Sequence, residues 1–143
     1  MKLILSVLLS IPAFCIFSQD LQFTVSANNK TFTMSPDNDN ANNLLLISSI
    51  EPNGNNFLTI RVVNEEIDKD WKRSFSVYDS TGNAIKDLTL MKDGSYCIKL
   101  NELKILLHPQ QDYAVYTTAI PKDPKKAMLV KVARTFICKI RIL

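Results

Sequence analysis

Apolar and polar side chains alternate with a period of two along most of this chain. The alternation is clearest at Leu58, Ile60 and Val62, and again at Phe75 and Val77, which are separated by polar residues. Successive side chains of a β-strand point to opposite faces of a sheet, so this period predicts strands with one buried face. The period of 3.6 that a helical protein would show does not recur along the chain.

Nine strands are predicted, and clusters of turn residues separate them. They cover residues 21–26, 31–34, 44–50, 57–63, 73–79, 84–90, 95–100, 112–120 and 128–142, the last as one strand or two. Gly82 and Gly94 lie between apolar runs, where turns need such residues. One helical turn is indicated at 102–107, before Pro109. Short strands at this spacing predict an all-β fold, a single antiparallel β-sandwich of the immunoglobulin-like kind.

The predicted core follows from the alternation, because the apolar side chains of one face must be covered. Its members are Leu58, Ile60, Val62, Phe75, Val77, Ile98, Leu100, Phe136 and Ile140. Cys138 falls on the inward face of its strand, whereas Cys97 lies between two inward residues and faces outward. A disulfide between them would need a bulge that reverses one side chain. Two alternatives therefore stay open, a Cys97–Cys138 disulfide and two free thiols.

The first 18 residues match a secretory signal peptide. Lys2 precedes an apolar run of about 15 residues, and the small residue Ser18 stands before a polar stretch, where cleavage is expected. The run is shorter than the roughly 20 residues of a spanning helix. A lipoprotein acylated on Cys15 is the alternative, but a bulky residue precedes this cysteine. The expectation is a signal peptide at 1–18, a β-sandwich domain at 19–143, and an exported protein that is periplasmic, on the cell surface or secreted.

The charge of the exported chain excludes one class of partner and suggests another. The whole sequence carries 17 basic and 14 acidic residues. Without Lys2 the net charge is +2, which is too small to indicate binding to nucleic acid. Residues 20–70 carry 3 basic and 8 acidic side chains, and residues 71–143 carry 13 and 6. This asymmetry is typical either of a partner surface or of solvated strand faces.

Residues suited to catalysis or metal binding are sparse. His108 is the single histidine, and only three glycines are present, so neither a zinc site nor a glycine-rich phosphate loop is expected. Asp37 and Asp39 match the first two ligand positions of a calcium loop, but Ala41 occupies the third. The sequence therefore predicts no catalytic residue, no metal ligand and no cofactor. A small secreted hydrolase is the alternative, for which Glu66 and His108 are the residues to test.

Two connections are the candidate partner-binding elements. Their residues are Glu65, Glu66, Asp68 and Trp71 in the first, and Lys122, Lys125 and Lys126 in the second. The basic connection suits an acidic surface such as the phosphates of lipid or polysaccharide. Tryptophan is enriched at binding hot spots, but a lone tryptophan beside a strand also caps cores. Whether Trp71 faces outward or inward stays open.

Residues 51–132 resemble a known family. Their order of motifs is Pro52-Asn53 with Phe57-Leu58-Thr59-Ile60, then Val77-Tyr78-Asp79-Ser80-Thr81-Gly82-Asn83, Ile98-Lys99-Leu100-Asn101-Glu102-Leu103, Asp112-Tyr113-Ala114-Val115, and Lys125-Lys126-Ala127-Met128-Leu129-Val130-Lys131-Val132. This order is similar to the type A C-terminal sorting domain of type IX secretion cargo in Bacteroidetes. The resemblance implies an immunoglobulin-like β-sandwich and a role linked to secretion.

The function expected from these observations is that of an exported, non-catalytic module for binding or assembly at the cell envelope or outside the cell. Its partner would be a protein or another envelope component, without nucleic acid and without a membrane span in the mature chain. A domain linked to secretion and sorting of the type IX kind is the first alternative, and a small secreted hydrolase is the second.

Overall fold

The computed structural model describes residues 21–28, 30–35, 43–48 and 56–143. The predicted signal peptide and the two aspartates of the candidate calcium loop lie outside these residues. The elements within them are β1 (Phe23–Ala27), β2 (Lys30–Met34), β3 (Leu44–Ile47), β4 (Phe57–Val62), α1 (Glu65–Asp68), β5 (Trp71–Tyr78), β6 (Ala84–Asp87), β7 (Thr89–Leu90), β8 (Tyr96–Lys99), α2 (Leu100–Leu106), β9 (Asp112–Pro121), α3 (Pro124–Ala127) and β10 (Thr135–Ile142).

These strands form two five-stranded sheets, which confirms the prediction of a mostly β protein. The first sheet has the order β2-β1-β4-β8-β7, and all of its pairs are antiparallel. The second has the order β3-β10-β9-β5-β6. Within it β3 runs parallel to β10, with Leu45 opposite Ile140, so the prediction of antiparallel pairing throughout was wrong at this edge.

One hydrophobic core contains buried residues of both sheets. Phe75 of the second sheet contacts two aromatic rings of the first, with centroid distances of 5.6 Å to Phe23 and 4.7 Å to Tyr96. Of the predicted core residues, those that are buried are Leu58, Ile60, Phe75, Val77, Ile98, Leu100 and Ile140. Val62 is half-buried and packs against this core. The alternation therefore assigned these eight residues to the correct face.

Phe136 is a predicted core residue that the structure places elsewhere. A bulge between Phe136 and Cys138 shifts the register of β10 against β9, and both Ile137 and Cys138 are buried. Because the bulge reverses the alternation, Phe136 turns to the outer face and packs edge-on against Tyr116, with a centroid distance of 5.8 Å. A strict period of two cannot reveal such an insertion.

The single strand predicted at 84–90 is two strands in different sheets. The chain leaves the second sheet after β6 and enters the first at β7, and Leu88 lies at the crossing point. Leu88 is buried, and its backbone N–H donates to the Phe75 carbonyl at 2.9 Å. One buried leucine therefore joins the two layers.

The strand predicted at 128–142 begins only at Thr135. Before it, Asp123 caps α3 by accepting from the backbone N–H of Lys125 at 3.0 Å, and Pro124 occupies the first turn. Residues 128–134 form no strand, although their apolar and polar residues partly alternate. Alternation produces a strand only where a partner strand is available, and β10 first pairs with β9 where Thr135 lies opposite Thr117.

A buried ion pair ties α1 to both sheets. The guanidinium of Arg73 in β5 donates to both carboxylate oxygens of Asp68, at 2.7 and 2.6 Å, and to the Thr117 hydroxyl at 3.2 Å. Its Cζ atom lies 5.5 Å from the ring centre of Phe23 in the first sheet. The side chains of Arg73 and Asp68 are only 9% and 13% exposed. The connection that holds Asp68 is therefore fixed to the core.

We expect Asp68→Ala to lower the free energy of unfolding by about 3–5 kcal/mol, because it leaves the buried Arg73 guanidinium without its counter-charge. The double variant Asp68→Leu with Arg73→Met should recover much of this loss. Urea denaturation followed by circular dichroism measures both.

The matched control is Asp112→Ala, which removes the partner of Arg141 from a pair that is 41% and 35% exposed. An exposed pair contributes only about 0–1 kcal/mol. Equal losses at Asp68 and Asp112 would contradict a structural role specific to the buried pair.

Candidate functional site

The two predicted partner-binding connections lie side by side at one end of the second sheet. Trp71 begins β5 and pairs with Pro121 at the end of β9. Just beyond this pair, the backbone N–H of Lys122 donates to the Asp70 carbonyl at 2.9 Å, and its ammonium donates to the Lys69 carbonyl at 2.5 Å. The structure thus brings the 65–71 connection and the 122–134 loop together.

The acidic residues of the 65–71 connection have different surroundings. Glu65 and Glu66 are exposed, and Glu66 lies 3.5 Å from the ammonium of Lys69, one helical turn away. Asp68 instead points inward to Arg73. Of the three acidic residues predicted to bind a partner, two are therefore accessible, whereas Asp68 holds the connection in place.

Trp71 is partly exposed, at 38% of its surface. On one side it lines a shallow depression with Leu90, Lys92 and Tyr96. On the other side it lines a second depression, together with Arg73. The indole therefore neither caps the core completely nor projects freely, and a partner could contact its exposed edge.

The 91–95 turn borders the same depression as Trp71. The hydroxyl and backbone N–H of Ser95 donate to Asp93, at 2.6 and 3.0 Å, and Arg61 pairs with the same carboxylate. These contacts, those of Ser95 first, lower the pKa of Asp93 to about 2. Gly94 adopts a φ of +84°, which a side chain would disfavour. The turn is therefore well defined, and its carboxylate stays ionised at neutral pH and is paired with Arg61.

The 122–134 loop combines exposed cations with exposed apolar side chains. It carries five basic residues and one acidic residue. Lys125 and Lys126 are exposed on α3, and within the described part of the chain no ion pair engages them. Directly after α3, Met128 and Leu129 are 87% and 86% exposed. Together with Val130 and Val132, which are 39% and 51% exposed, they form a contiguous run of exposed apolar side chains, which makes this loop a candidate contact surface.

Arg134 fixes the far end of this loop on the outer face of the second sheet. Its guanidinium lies over the rings of Tyr78 and Tyr116, 4.7 and 5.1 Å from their centres, and donates to the Gly82 carbonyl at 3.3 Å. The loop is therefore held at Lys122 and at Arg134. Sequence reasoning missed this anchor, although an arginine and alternate aromatic residues on neighbouring strands are a usable signal.

His108 lies at the opposite end of the molecule. Its backbone N–H donates to the Tyr113 hydroxyl at 2.9 Å, near the start of β9, whereas Glu66 lies near the other end of that strand. A ten-residue strand is about 30 Å long. The structure therefore does not bring Glu66 and His108 together as a pair.

The depression beside His108 contains two carboxylates with other partners. Asp112 accepts from Arg141 at 2.6 Å, and Asp79 accepts from the hydroxyl and backbone N–H of Thr81 at 2.7 and 2.9 Å. These hydrogen bonds lower the pKa of both carboxyl groups. Both therefore remain ionised at neutral pH and are poorly suited to donate a proton.

Cys97 and Cys138 are free thiols in the structure. Cys97 is half-buried on the outer face of the first sheet, with its sulfur 3.5 Å from the Thr59 hydroxyl and 3.6 Å from that of Ser95. Cys138 is buried in the core, and burial raises its pKa to about 12. The thiols belong to different sheets and face different sides. Of the two alternatives left open by the sequence, the structure therefore has two free thiols and no disulfide.

Within the described residues, no group of three or more His, Cys, Asp or Glu side chains is placed to hold a metal ion. None of the helices described is long and apolar enough to cross a membrane. No protein-family model, no curated protein and no solved structure shows a significant match to this chain. The functional argument therefore depends on the site alone.

We expect Cys97 to react with a thiol reagent such as Ellman's reagent in the native protein, and Cys138 to react only on unfolding, because burial keeps it protonated. Labelling kinetics of the native Cys97→Ser and Cys138→Ser variants separate the two thiols. Absence of reactive thiols from the denatured, unreduced wild-type protein would instead reveal a disulfide and contradict this arrangement.

Proposed function

We propose that this protein is an exported, non-catalytic module with an immunoglobulin-like β-sandwich fold, which binds or assembles with a component of the cell envelope or of the extracellular space. Its binding surface is the end of the molecule that carries Trp71 and the 122–134 loop. The observation that carries the proposal is the basic and apolar loop, held at both ends and uncovered at Met128 and Leu129.

The strand order supports the immunoglobulin-like part of this proposal. Strands β1-β4-β8-β7 follow the A-B-E-D order of such a domain, and β10-β9-β5 follow its G-F-C order. In this assignment β6 is an added strand beside C, and β3 pairs in parallel with the G strand. The chain thus follows the same Greek-key path, with the extra β2 at the edge of the first sheet.

Tyr113 supplies a second, independent argument for this fold. Immunoglobulin-like domains often have a tyrosine near the start of the F strand whose hydroxyl bonds to the backbone a few residues upstream. Tyr113 is the second residue of β9, the F strand in this assignment, and its hydroxyl accepts from the backbone N–H of His108. Its side chain is buried, so this hydrogen bond closes the connection after α2.

The same assignment supports the location of the binding surface. The 65–71 connection joins strands B and C, the 91–95 turn joins D and E, and the 122–134 loop joins F and G. In variable domains of antibodies, the B–C and F–G loops contribute to antigen binding at one end of the sandwich. The corresponding end of this protein holds its exposed tryptophan and its apolar, basic loop. The sorting role implied by the sequence resemblance stays a prediction that no contact in the structure favours.

We expect Tyr113→Phe to lower the free energy of unfolding by about 1–3 kcal/mol, because it leaves the His108 N–H without its acceptor. Tyr116→Phe is the matched control, since Tyr116 is half-buried on an outer face and makes no hydroxyl hydrogen bond within the described residues. Thermal or urea unfolding measures both variants. A loss at Tyr116 as large as at Tyr113 would contradict the structural role of this corner.

The proposed function is tested by sedimenting the purified mature protein with envelope fragments from cells that produce it. Wild-type protein should sediment with the fragments, and Leu129→Ser should reduce the sedimenting fraction at least fivefold. Ile105→Ser is the control, because Ile105 is 85% exposed on α2, away from the proposed surface. Failure of the wild-type protein to sediment, or equal effects of the two variants, would contradict the proposal.

A further inference from the structure

We propose that the 122–134 loop docks on the surface of an anionic phospholipid bilayer, with Met128 and Leu129 entering the interface and the lysines contacting the headgroups. This inference rests on the proposed function, because it names the envelope component that the module binds. It follows from the combination of apolar exposure, charge and shape in one loop.

Apolar exposure in the loop exceeds what solubility alone would favour. Met128 and Leu129 are almost fully exposed, and Val130 and Val132 are 39% and 51% exposed. The alternation of 128–134 predicts a strand that would bury half of these residues, but no element among the described residues covers them. Exposing these apolar side chains to water costs free energy, and this free energy is recovered only when a partner covers them.

The cations of the loop stand where an anionic interface would need them. Lys125 and Lys126 precede the apolar pair, and Lys131 follows it. Among the described residues none of these three ammonium groups has an ion-pair partner, whereas Lys122 is occupied by the Lys69 carbonyl. Long lysine side chains can reach headgroup phosphates while neighbouring apolar side chains enter the acyl boundary.

The size of the apolar surface favours a bilayer over a folded protein. A stable protein interface buries roughly 800 Å² on each partner, around a well-packed centre. Four side chains of a single loop supply only part of this area, and they form no packed centre of their own. A bilayer accepts a few inserted side chains, and each nearby cation adds to its attraction. The observed combination is therefore better suited to a lipid surface.

The neighbouring acidic residues favour one orientation on such a surface. On the 65–71 connection, Glu65 and Glu66 are exposed carboxylates. An anionic bilayer repels these groups and attracts the 122–134 loop. The module would thus approach with this loop first, and Glu65 and Glu66 of the neighbouring connection would lie farther from the headgroups.

The experiment is co-sedimentation with vesicles of phosphatidylcholine alone and of phosphatidylcholine mixed equally with phosphatidylglycerol. Wild-type protein should bind the anionic vesicles at about 0.1 M salt, and about 1 M salt should weaken this binding. Lys125→Gln with Lys126→Gln should weaken it roughly 25-fold, since each cation contributes about fivefold. Lys99→Gln with Lys139→Gln, both exposed on strands, is the control.

Removal of the apolar group is tested separately. Leu129→Ser should weaken vesicle binding roughly 10- to 100-fold, as expected for the loss of one buried leucine side chain, and Ile105→Ser should leave it unchanged. Circular dichroism checks that every variant is folded. Soluble inositol hexaphosphate should compete only weakly, because it offers phosphate without an apolar phase.

Several outcomes would overturn the inference. Binding to envelope fragments but not to anionic vesicles would leave the proposed function standing and exclude lipid as its ligand. Full competition by inositol hexaphosphate would indicate a phosphate site without insertion. Dimerisation that Leu129→Ser abolishes would identify a second copy as the occupant. Failure to bind both fragments and vesicles would remove the inference together with the proposed function.

Discussion

The ion pair of Arg73 and Asp68 is the interaction on which the end of the molecule that carries Trp71 and the 122–134 loop depends. Arg73 stands on an inward position of β5, where the inter-sheet space ends, and its guanidinium contacts Asp68 of α1, Thr117 of β9 and the ring of Phe23. The first contact fixes the connection between the sheets, the second joins neighbouring strands, and the third reaches the opposite sheet. Trp71, two residues away, and Lys122, hydrogen-bonded to the same connection, are positioned as a result.

Much of the fold could be predicted because burial imposes the period of two directly on the sequence. Ile60 and Val77 were assigned to the core correctly, and the helical turn near 102–107 is part of α2. The errors occurred where pairing decides the structure. Phe136 was misplaced because a bulge is invisible in the alternation, and the antiparallel prediction failed because nothing local specifies that β3 pairs with β10.

The sequence predicted the two connections of the candidate site but not the exposed apolar pair of the 122–134 loop. Exposed cations such as Lys125 and an unusual tryptophan are readable from composition, and the structure places their two connections together. The alternation does not reveal the exposed apolar pair, because it predicts a strand over Met128 and Leu129. Asp123 followed by Pro124 is a helix start, and this signal could have shown that the strand begins later. The anchoring role of Arg134 is visible only in the folded structure. Its hydrogen-bond acceptor Gly82 is 52 residues away along the chain, and Tyr78, one of the rings it contacts, lies on β5.

The parallel pairing of β3 with β10 has a consequence for the order of events during biogenesis. Asn43 and Ile137, 94 residues apart, are joined by a hydrogen bond, and β10 lies between β3 and β9 in the interior of its sheet. A chain that emerges from a ribosome or a translocation channel therefore cannot complete this sheet until residues 135–142 are available. Contacts of such sequence separation slow folding and leave hydrophobic strands exposed meanwhile.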